Sequence, residues 1–226
     1  MSSNPDALAD FLAKARGSLD RRAAANAQVD VAELWSLAAL RGRLVELSAR
    51  GASATLTTAI ALVLEAQLAS EPVVWIMLTT GTFYPPDVAD SGVDLAALVV
   101  IRVTDATGAA RTAERVLRSG AFGLVVLDLS ASGAQSVGSQ STDISMAHQG
   151  RLVTLAQAHD AAVVCLTDKT ADTASLGSLI SLRAEALRAR SVAPQNEFDL
   201  TVRALKDKRR GPGWIKKIKA RGPAGF

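Results

Sequence analysis

The sequence predicts an α/β protein with a mostly parallel central sheet flanked by helices, and with antiparallel edge strands near the C-terminus. Five short runs are almost continuously Val, Ile and Leu, as in strands buried on both faces. Helical segments lie between these runs, which makes a β-α-β series. After the fifth run, two segments alternate polar and apolar residues, as half-exposed strands do.

The individual elements follow from the same patterns. Asn4 as a cap and Pro5 at the first helical position predict a helix over residues 5–22, and a second short helix is expected over 30–39. Buried strands are expected at 43–48, 72–78, 97–103, 123–129 and 161–167, with helices at 55–70, 106–119 and 145–159. Half-exposed antiparallel strands are expected at 178–189 and 197–208, and a flexible Ser- and Gly-rich loop at 130–143.

Length and charge set the domain organisation. The chain has 226 residues, enough for one sizeable core, and a net charge of +3. Residues 201–226 contain nine Lys or Arg against one acidic residue, so the first 200 residues sum to −5. We divide the chain into an N-terminal helical segment (1–40), a core domain (41–208) and a basic Gly- and Pro-containing tail (209–226) that we expect to be mobile in isolation.

Several function classes find no support in the sequence. No apolar run reaches the roughly 18 to 20 residues of a membrane span, and the first residues do not form a secretory signal, so we expect a cytoplasmic protein without a membrane partner. The single Cys165 lies in an apolar run and is expected to be a buried hydrophobe. His148 and His159 have no ligand at metal spacing, so we expect a solvated helix surface for both and no metal site.

A loop of small residues, ARGASATL, joins the first buried strand to the next helix. Many proteins hold a nucleotide phosphate at such a strand–loop–helix turn. This loop has no lysine where a phosphate loop needs one. A nucleotide site, a degenerate one and an ordinary turn all remain open from these residues alone.

Longer stretches resemble the core of the RecA recombinase. GRLVEL resembles the strand that enters the RecA phosphate loop, and SGVDLAALVVIRVTDATGAARTAERVLRSGAFGLVVLDLSA resembles the stretch from the second helix through the Walker B strand. VRALKDKRRGPG is similar to a late RecA strand that ends in a Lys-x-Lys pair. The resemblance covers residues 40–212 and implies a RecA-like core. It also implies that the second DNA-holding loop of RecA is shortened here to residues 168–175.

Laid on the RecA pattern, the nucleotide site is degenerate. The places of the two phosphate-loop glycines, the lysine and the hydroxyl residue fall on Ala49, Ala54, Thr55 and Leu56. The place of the water-orienting glutamate falls near Thr80, and the Walker B aspartate is Asp128. Loss of the lysine and of the magnesium-binding hydroxyl removes charge stabilisation from the same transition state. The resemblance therefore implies no catalysis and no cofactor, and Asp128 is explained as a buried strand-end residue that caps the next loop.

A narrower family shares this stripped nucleotide site. PVVWIMLTTGTFYPPDVADSGVDLAALVVIRV resembles the ImuA proteins, with a Trp-containing strand, a Pro-Pro turn, Gly-x-Asp-Leu and a strand that ends in arginine. The resemblance implies an accessory protein of SOS translesion mutagenesis whose partners are RecA, an inactive Y-family-like polymerase adaptor of the ImuB type and an error-prone replicative-type polymerase. The SulA division inhibitors share part of the pattern. A SulA-like inhibitor of the division-ring GTPase and a residual RecA-like ATPase are the alternatives.

The basic C-terminal region is the functional signal that composition alone supports. Its candidate DNA- or partner-binding residues are Lys206, Lys208, Arg209, Arg210, Trp214, Lys216, Lys217, Lys219 and Arg221. Lys206 and Lys208 alternate on a predicted strand and should point to the same face. The cluster could bind the phosphates of single-stranded DNA with Trp214 stacked on a base, or be a solubilising tail with Trp214 packed on the core. It could also dock a protein through WIKKIK as a short strand or helical turn.

The predicted N-terminal helix has a counterpart in RecA that packs on the neighbouring subunit. Residues 5–22 could dock onto RecA, onto another copy of the chain or onto their own core.

Overall fold

The computed structural model describes residues 34–81, 83–130, 143–190 and 197–221. The predicted helix at 5–22 lies outside these residues, as do most of the predicted loop at 130–143 and the start of the predicted helix at 30–39.

The described residues form five α-helices, one 3₁₀ turn and eight strands. The helices are α1 (Leu37–Leu40), α2 (Thr55–Leu68), α3 (Pro85–Asp90), α4 (Ala106–Arg118) and α5 (Met146–Ala158), with the 3₁₀ turn at Leu95–Ala97. The strands are β1 (Arg43–Ser48), β2 (Val73–Leu78), β3 (Leu98–Val103), β4 (Leu124–Asp128), β5 (Ala162–Thr167), β6 (Leu182–Arg190), β7 (Glu197–Asp207) and β8 (Ile215–Arg221). The five strands and the three long helices lie where the hydrophobic runs predict them. Four of the strands are buried along their whole length, but the expectation of burial is wrong for β3, which is largely exposed because it lies at the edge of the sheet.

All eight strands form one sheet in the order β3-β2-β4-β5-β1-β6-β7-β8. The strands from β3 to β6 pair in parallel, whereas β6–β7 and β7–β8 pair antiparallel. The predicted fold class is therefore confirmed. One detail differs, because β6 belongs to the segment expected to be antiparallel and yet runs parallel to β1. Its first five residues are buried, since β7 and β8 lie outside it in the sheet.

Two apolar layers cover the sheet, one on each face. Side chains that alternate along the strands point to opposite layers, which is why the central strands need apolar residues at every position. Val45, Trp75 and Leu182 pack with α1 and α2 on one face. Leu44 and Val125 pack with α4 and α5 on the other.

Helix α4 shows how the local sequence builds one of these layers. Asp105 caps its N-terminus by accepting a hydrogen bond of 2.7 Å from the Gly108 N–H. The side chains that face the sheet are mostly alanines, which let the helix lie close to β2 and β4: Ala106, Ala109, Ala110 and Ala113. Among the described helices, none is long and apolar enough to cross a membrane.

Part of the segment assigned to the tail belongs to the sheet. Ile215–Arg221 forms β8 and pairs with β7 from Arg203↔Ile215 to Glu197↔Arg221. Of the two conformations open for WIKKIK, the structure has the strand. Residues 222–226 lie outside the described part of the chain.

Candidate functional site

The turn between β1 and α2, where a phosphate loop would lie, is folded onto β6. The Ala54 N–H donates to the Ala186 carbonyl at 2.9 Å, and the Arg188 N–H donates to the Ala52 carbonyl at 2.9 Å. The Ser53 N–H donates within the turn to the Gly51 carbonyl at 2.8 Å. A phosphate loop needs such N–H groups directed at the ligand. Here two of them, at 53 and 54, already have protein acceptors.

The side chains of this turn do not supply the missing chemistry. Thr55, at the place of the lysine, is buried, and its hydroxyl shares a 2.9 Å hydrogen bond with the Ser53 hydroxyl. Leu56, at the place of the magnesium ligand, points its apolar side chain to solvent and is 48% exposed. Ala49 and Ala54 are buried. These four positions therefore carry no cation, and the one hydroxyl among them, that of Thr55, is already hydrogen-bonded to Ser53.

The remaining two positions of the degenerate nucleotide site, Asp128 and Thr80, provide one carboxylate rather than two, because Thr80 stands at the place of the glutamate. Asp128 is buried at the end of β4, where its carboxylate accepts hydrogen bonds from the backbone N–H, at 3.2 Å, and the hydroxyl of Ser130. Burial raises the pKa of Asp128, although these hydrogen bonds favour the ionised form. Thr80 is exposed in the turn after β2. In the described part of the chain, no cluster of three or more His, Cys, Asp or Glu could hold a metal ion.

A buried carboxylate that our sequence interpretation did not single out lies in β1. Glu46 is fully buried, accepts a 3.0 Å hydrogen bond from the Thr167 hydroxyl and accepts a 2.9 Å hydrogen bond from the Leu176 N–H. Its other neighbours are cations, with Arg183 Nε at 3.8 Å and Lys169 Nζ at 3.9 Å. A buried carboxylate needs such partners because desolvation disfavours the charge.

Glu46 and Arg183 together bind the backbone of the residues that follow β5 (residues 168–181, the post-β5 segment). The Arg183 guanidinium donates to the Thr170 carbonyl at 2.8 Å and to the Thr173 carbonyl. Gln149 on α5 adds a 3.0 Å hydrogen bond to the Leu176 carbonyl. This segment includes residues 168–175, which the resemblance to RecA assigns to a shortened DNA loop. A charged residue inside an apolar strand, as in RLVELS, was the signal that could have revealed this cluster.

Lys206 and Lys208 lie next to the same segment. Lys206 is opposite Arg183 in the β6–β7 register, and Lys208 donates to the Ser178 carbonyl at 2.6 Å. Partial burial and then the charge of Lys208 lower the pKa of Lys206. The two lysines are therefore near each other, with Lys208 just beyond the end of β7.

Trp214 is anchored to the protein body. Its ring packs against the apolar layer of α1 and α2, and its indole N–H donates to Asp207 at 3.1 Å. Asp207 is buried and forms an ion pair with buried Arg43 at 2.6 Å. The Asp207 carboxylate also accepts the Arg209 N–H at 2.9 Å. These contacts fix the turn that leads from β7 into β8.

Strand β8 divides its basic residues between two environments. Ile218 packs against the apolar layer, and Lys216 on the same face donates to the Trp35 carbonyl at 2.9 Å. Lys217 and Lys219 alternate with them and are exposed. Arg209 reaches the Arg41 carbonyl at 3.4 Å, Arg210 is half-buried and Arg221 is the last residue of the strand. Exposed positive charge therefore concentrates at Lys208, Arg209, Lys217 and Lys219.

The two histidines differ from one another. His159 is exposed, as expected. His148 is only 13% exposed, with Nδ1 at 2.5 Å from Glu114 on α4, and Glu114 also pairs with Arg151 at 2.9 Å. The expectation of a solvated surface is wrong for His148, because α4 and α5 pack side by side and bring Glu114 against it.

The fold and these contacts define a class of protein, namely an α/β protein with a mixed sheet. The backbone of its β1–α2 turn is hydrogen-bonded to β6, and the edge of its sheet at β8 is basic. Comparison with protein-family models and with curated proteins finds no match to this chain.

Proposed function

We propose that the protein is a non-catalytic, RecA-like accessory protein of the ImuA type. In this proposal it acts in the cytoplasm, in damage-induced translesion DNA synthesis. It does so by binding RecA, a polymerase adaptor and DNA rather than by turning over a nucleotide. The pathway rests on the resemblance of the β2–β3 region to ImuA proteins.

The absence of catalysis in this proposal is supported by the β1–α2 turn, whose backbone is hydrogen-bonded to β6. Phosphate binding there would require the Ala54 N–H to leave the Ala186 carbonyl and the turn to separate from β6. A buried Thr55 in place of lysine offers no charge to offset that loss. We therefore expect no binding of magnesium–ATP at concentrations up to about 1 mM, the upper end of ordinary substrate constants.

The binding role rests on the exposed cations of the β7–β8 edge. Lys217 and Lys219 share one face of β8, and Lys208 and Arg209 extend the charge at its end. Each phosphate neutralised releases counterions, so affinity for single-stranded DNA should fall steeply with salt. Trp214 contributes indirectly, because its indole holds the turn that presents β8.

A binding experiment tests this proposal. The full chain is titrated onto fluorescent single-stranded DNA, with and without RecA, at several salt concentrations. The variant Lys217→Glu/Lys219→Glu should lose at least tenfold in DNA affinity and show a shallower salt slope. The matched control is Arg115→Glu/Arg118→Glu, which reverses two exposed charges on α4 and should bind as the wild type does.

The partners are tested by co-purification with RecA and with the polymerase adaptor. Binding to at least one of them supports the proposal. Binding to the division-ring GTPase with neither of them would contradict it and favour the SulA-like alternative. ATP hydrolysis lost on Asp128→Asn would contradict the non-catalytic claim.

A further inference from the structure

The two edges of the sheet carry opposite surface chemistry. The β8 edge bears Lys216, Lys217 and Lys219, and edge lysines discourage pairing with another strand. The β3 edge, Leu98–Val103, has one charged residue, Arg102, and no acid. Two adjacent valines of β3, which point to opposite faces of the sheet, are 45% and 37% exposed at Val99 and Val100.

The β3 backbone has an open side. It pairs in parallel with β2 from Val73↔Leu98 to Leu78↔Val103, and among the described strands nothing pairs with its outer side. A mostly apolar edge whose outer N–H and C=O groups pair with none of the described strands is a template for another strand. Ala97, just before β3, also lines a groove of about 520 Å³ together with Leu64 and Leu68, and the acidic residues Glu71 and Asp94 belong to the same lining.

We propose that this edge binds a second copy of the chain, with the two β3 strands antiparallel about a two-fold axis at Val100. Opposite residues in an antiparallel pair both direct their N–H and C=O either toward or away from the partner strand. Because these directions alternate along a strand, a symmetric pair must place one residue opposite itself. In this register Val100 faces the partner's Val100, and Val99 faces the partner's Ile101.

Repulsion between positive charges disfavours the other strand that could pair with β3 and the other symmetric registers. Addition of β8 from another copy would bring Lys216, Lys217 and Lys219 toward Arg102 and would also build open-ended assemblies. A symmetric pair centred on Arg102 would place two guanidinium groups opposite each other. A pair centred on Ile101 would leave them as diagonal neighbours about 7–8 Å apart. Only the axes at Val100 and Ile101 pair five residues of β3 with the partner strand, and of these two the axis at Val100 separates the guanidinium groups further. It also covers both exposed valines.

The size of the surface sets the expected affinity. A strand of six residues buries less than the about 800 Å² per partner of a standard interface, even with the neighbouring groove. We therefore expect a weak, reversible dimer with a dissociation constant in the micromolar range. The dimer does not depend on the proposed pathway, so its test is independent of the DNA and RecA experiments.

Sedimentation of the full chain between about 1 and 100 μM tests the proposal, since that range brackets a micromolar constant. The expected result is reversible conversion of the 23.5 kDa monomer into a species of twice that mass. Val100→Lys puts two ammonium groups at the axis and should raise the dissociation constant at least tenfold. Lys217→Glu at the other edge is the control and should leave it unchanged.

A cysteine pair tests the register without relying on a disruptive charge. In Val100→Cys the two cysteines lie directly opposite each other, with their Cα atoms about 4.5–5.5 Å apart. This distance is within the range of disulfides, so mild oxidation should cross-link the dimer. In Val99→Cys the two copies are diagonal neighbours, beyond easy reach, and should cross-link at least tenfold more slowly.

A monomer throughout this range, open-ended oligomers, or a dimer unaffected by Val100→Lys would each overturn the proposal. Equal cross-linking of the two cysteine variants would overturn the register. The proposal itself would also be overturned if the chain dimerised only after residues 1–33 were removed, because that segment would then occupy the β3 edge in the full chain.

Discussion

Replacing Asp207 by Asn should destabilise the protein strongly. Asp207 and Arg43 are both buried, with side chains 1% and 3% exposed, and their ion pair is 2.6 Å long. The Arg43 guanidinium also donates to the hydroxyl and carbonyl of Ser181, both at 3.0 Å. The substitution keeps the size of the side chain but removes the negative charge, so Arg43 stays buried without a counterion.

The magnitude follows from what remains buried. Removing one partner of a buried ion pair costs about 3–5 kcal/mol, because the other charge is left uncompensated. The carboxylate also accepts from the Trp214 indole and the Arg209 N–H, and an amide has one acceptor oxygen for these donors. We expect a loss of about 3–5 kcal/mol, a large part of the total stability of an ordinary domain.

The pH dependence gives an independent readout. Burial alone would raise the pKa of Asp207. The hydrogen bonds from Arg209, Arg43 and Trp214 outweigh burial and hold its pKa below the ordinary value. A carboxylate with a lowered folded-state pKa stabilises the protein above its unfolded pKa, about 3.9, and loses that contribution as the pH falls through the folded value. The wild type should lose this stability below about pH 4, whereas Asp207→Asn should not.

Urea unfolding followed by tryptophan fluorescence measures these differences at pH 7 and at pH 3 to 5. Asp199→Asn is the control on the same strand, and its half-buried carboxylate should cost less than about 0.5 kcal/mol. The double variant Arg43→Met/Asp207→Leu removes both charges and should recover at least half of the loss, since no unpaired charge remains. A cost below about 1 kcal/mol for Asp207→Asn would refute the reasoning.

Three further predictions concern residues of β1, of its neighbour β5 and of the turn that follows β1. Thr55→Lys alone should not confer magnesium–ATP binding, because the backbone of the turn stays paired with β6; a fluorescent nucleotide titration checks this, and micromolar binding would contradict it. Glu46→Gln should weaken the post-β5 segment, because Arg183 loses its buried counterion; hydrogen exchange over residues 168–181 should rise at least tenfold, with α4 unchanged as the internal control. Burial and the charge of Glu46 raise the pKa of the Cys165 thiol, so a thiol reagent should label it only after unfolding, and rapid labelling of the native protein would contradict the buried placement.

The parallel core was predictable because burial on both faces leaves a simple pattern. Strands such as PVVWIML and GLVVLDL need apolar residues at every position, and the structure has β2 and β4 in these runs. The edges were harder to predict. Segment 178–189 alternates in polarity, yet two of its five polar residues, Arg183 and Glu185, are buried. Alternation cannot distinguish a solvent-facing residue from one buried in an ion pair.

The candidate site was predictable in part. The absence of lysine from ARGASATL was visible in the sequence. That Ala54 donates its N–H to Ala186 was not, because the two residues are distant in the chain and meet only through the β1–β6 pairing. The anchoring of Trp214 by Asp207 likewise required the β7–β8 turn.

By itself, the sequence determined the α/β class, the positions of the central strands and the missing phosphate-loop lysine. These depend on local patterns and on the chemistry of single residues. Only the tertiary structure decided that the backbone of the β1–α2 turn is paired with β6 and that Glu46 and Asp207 are each buried with a guanidinium beside them. It also decided that, among the described strands, the apolar β3 and the lysine-rich β8 form the two edges of the sheet. Those properties depend on which strands become neighbours, and strand order is set by packing over the whole chain rather than by any one segment.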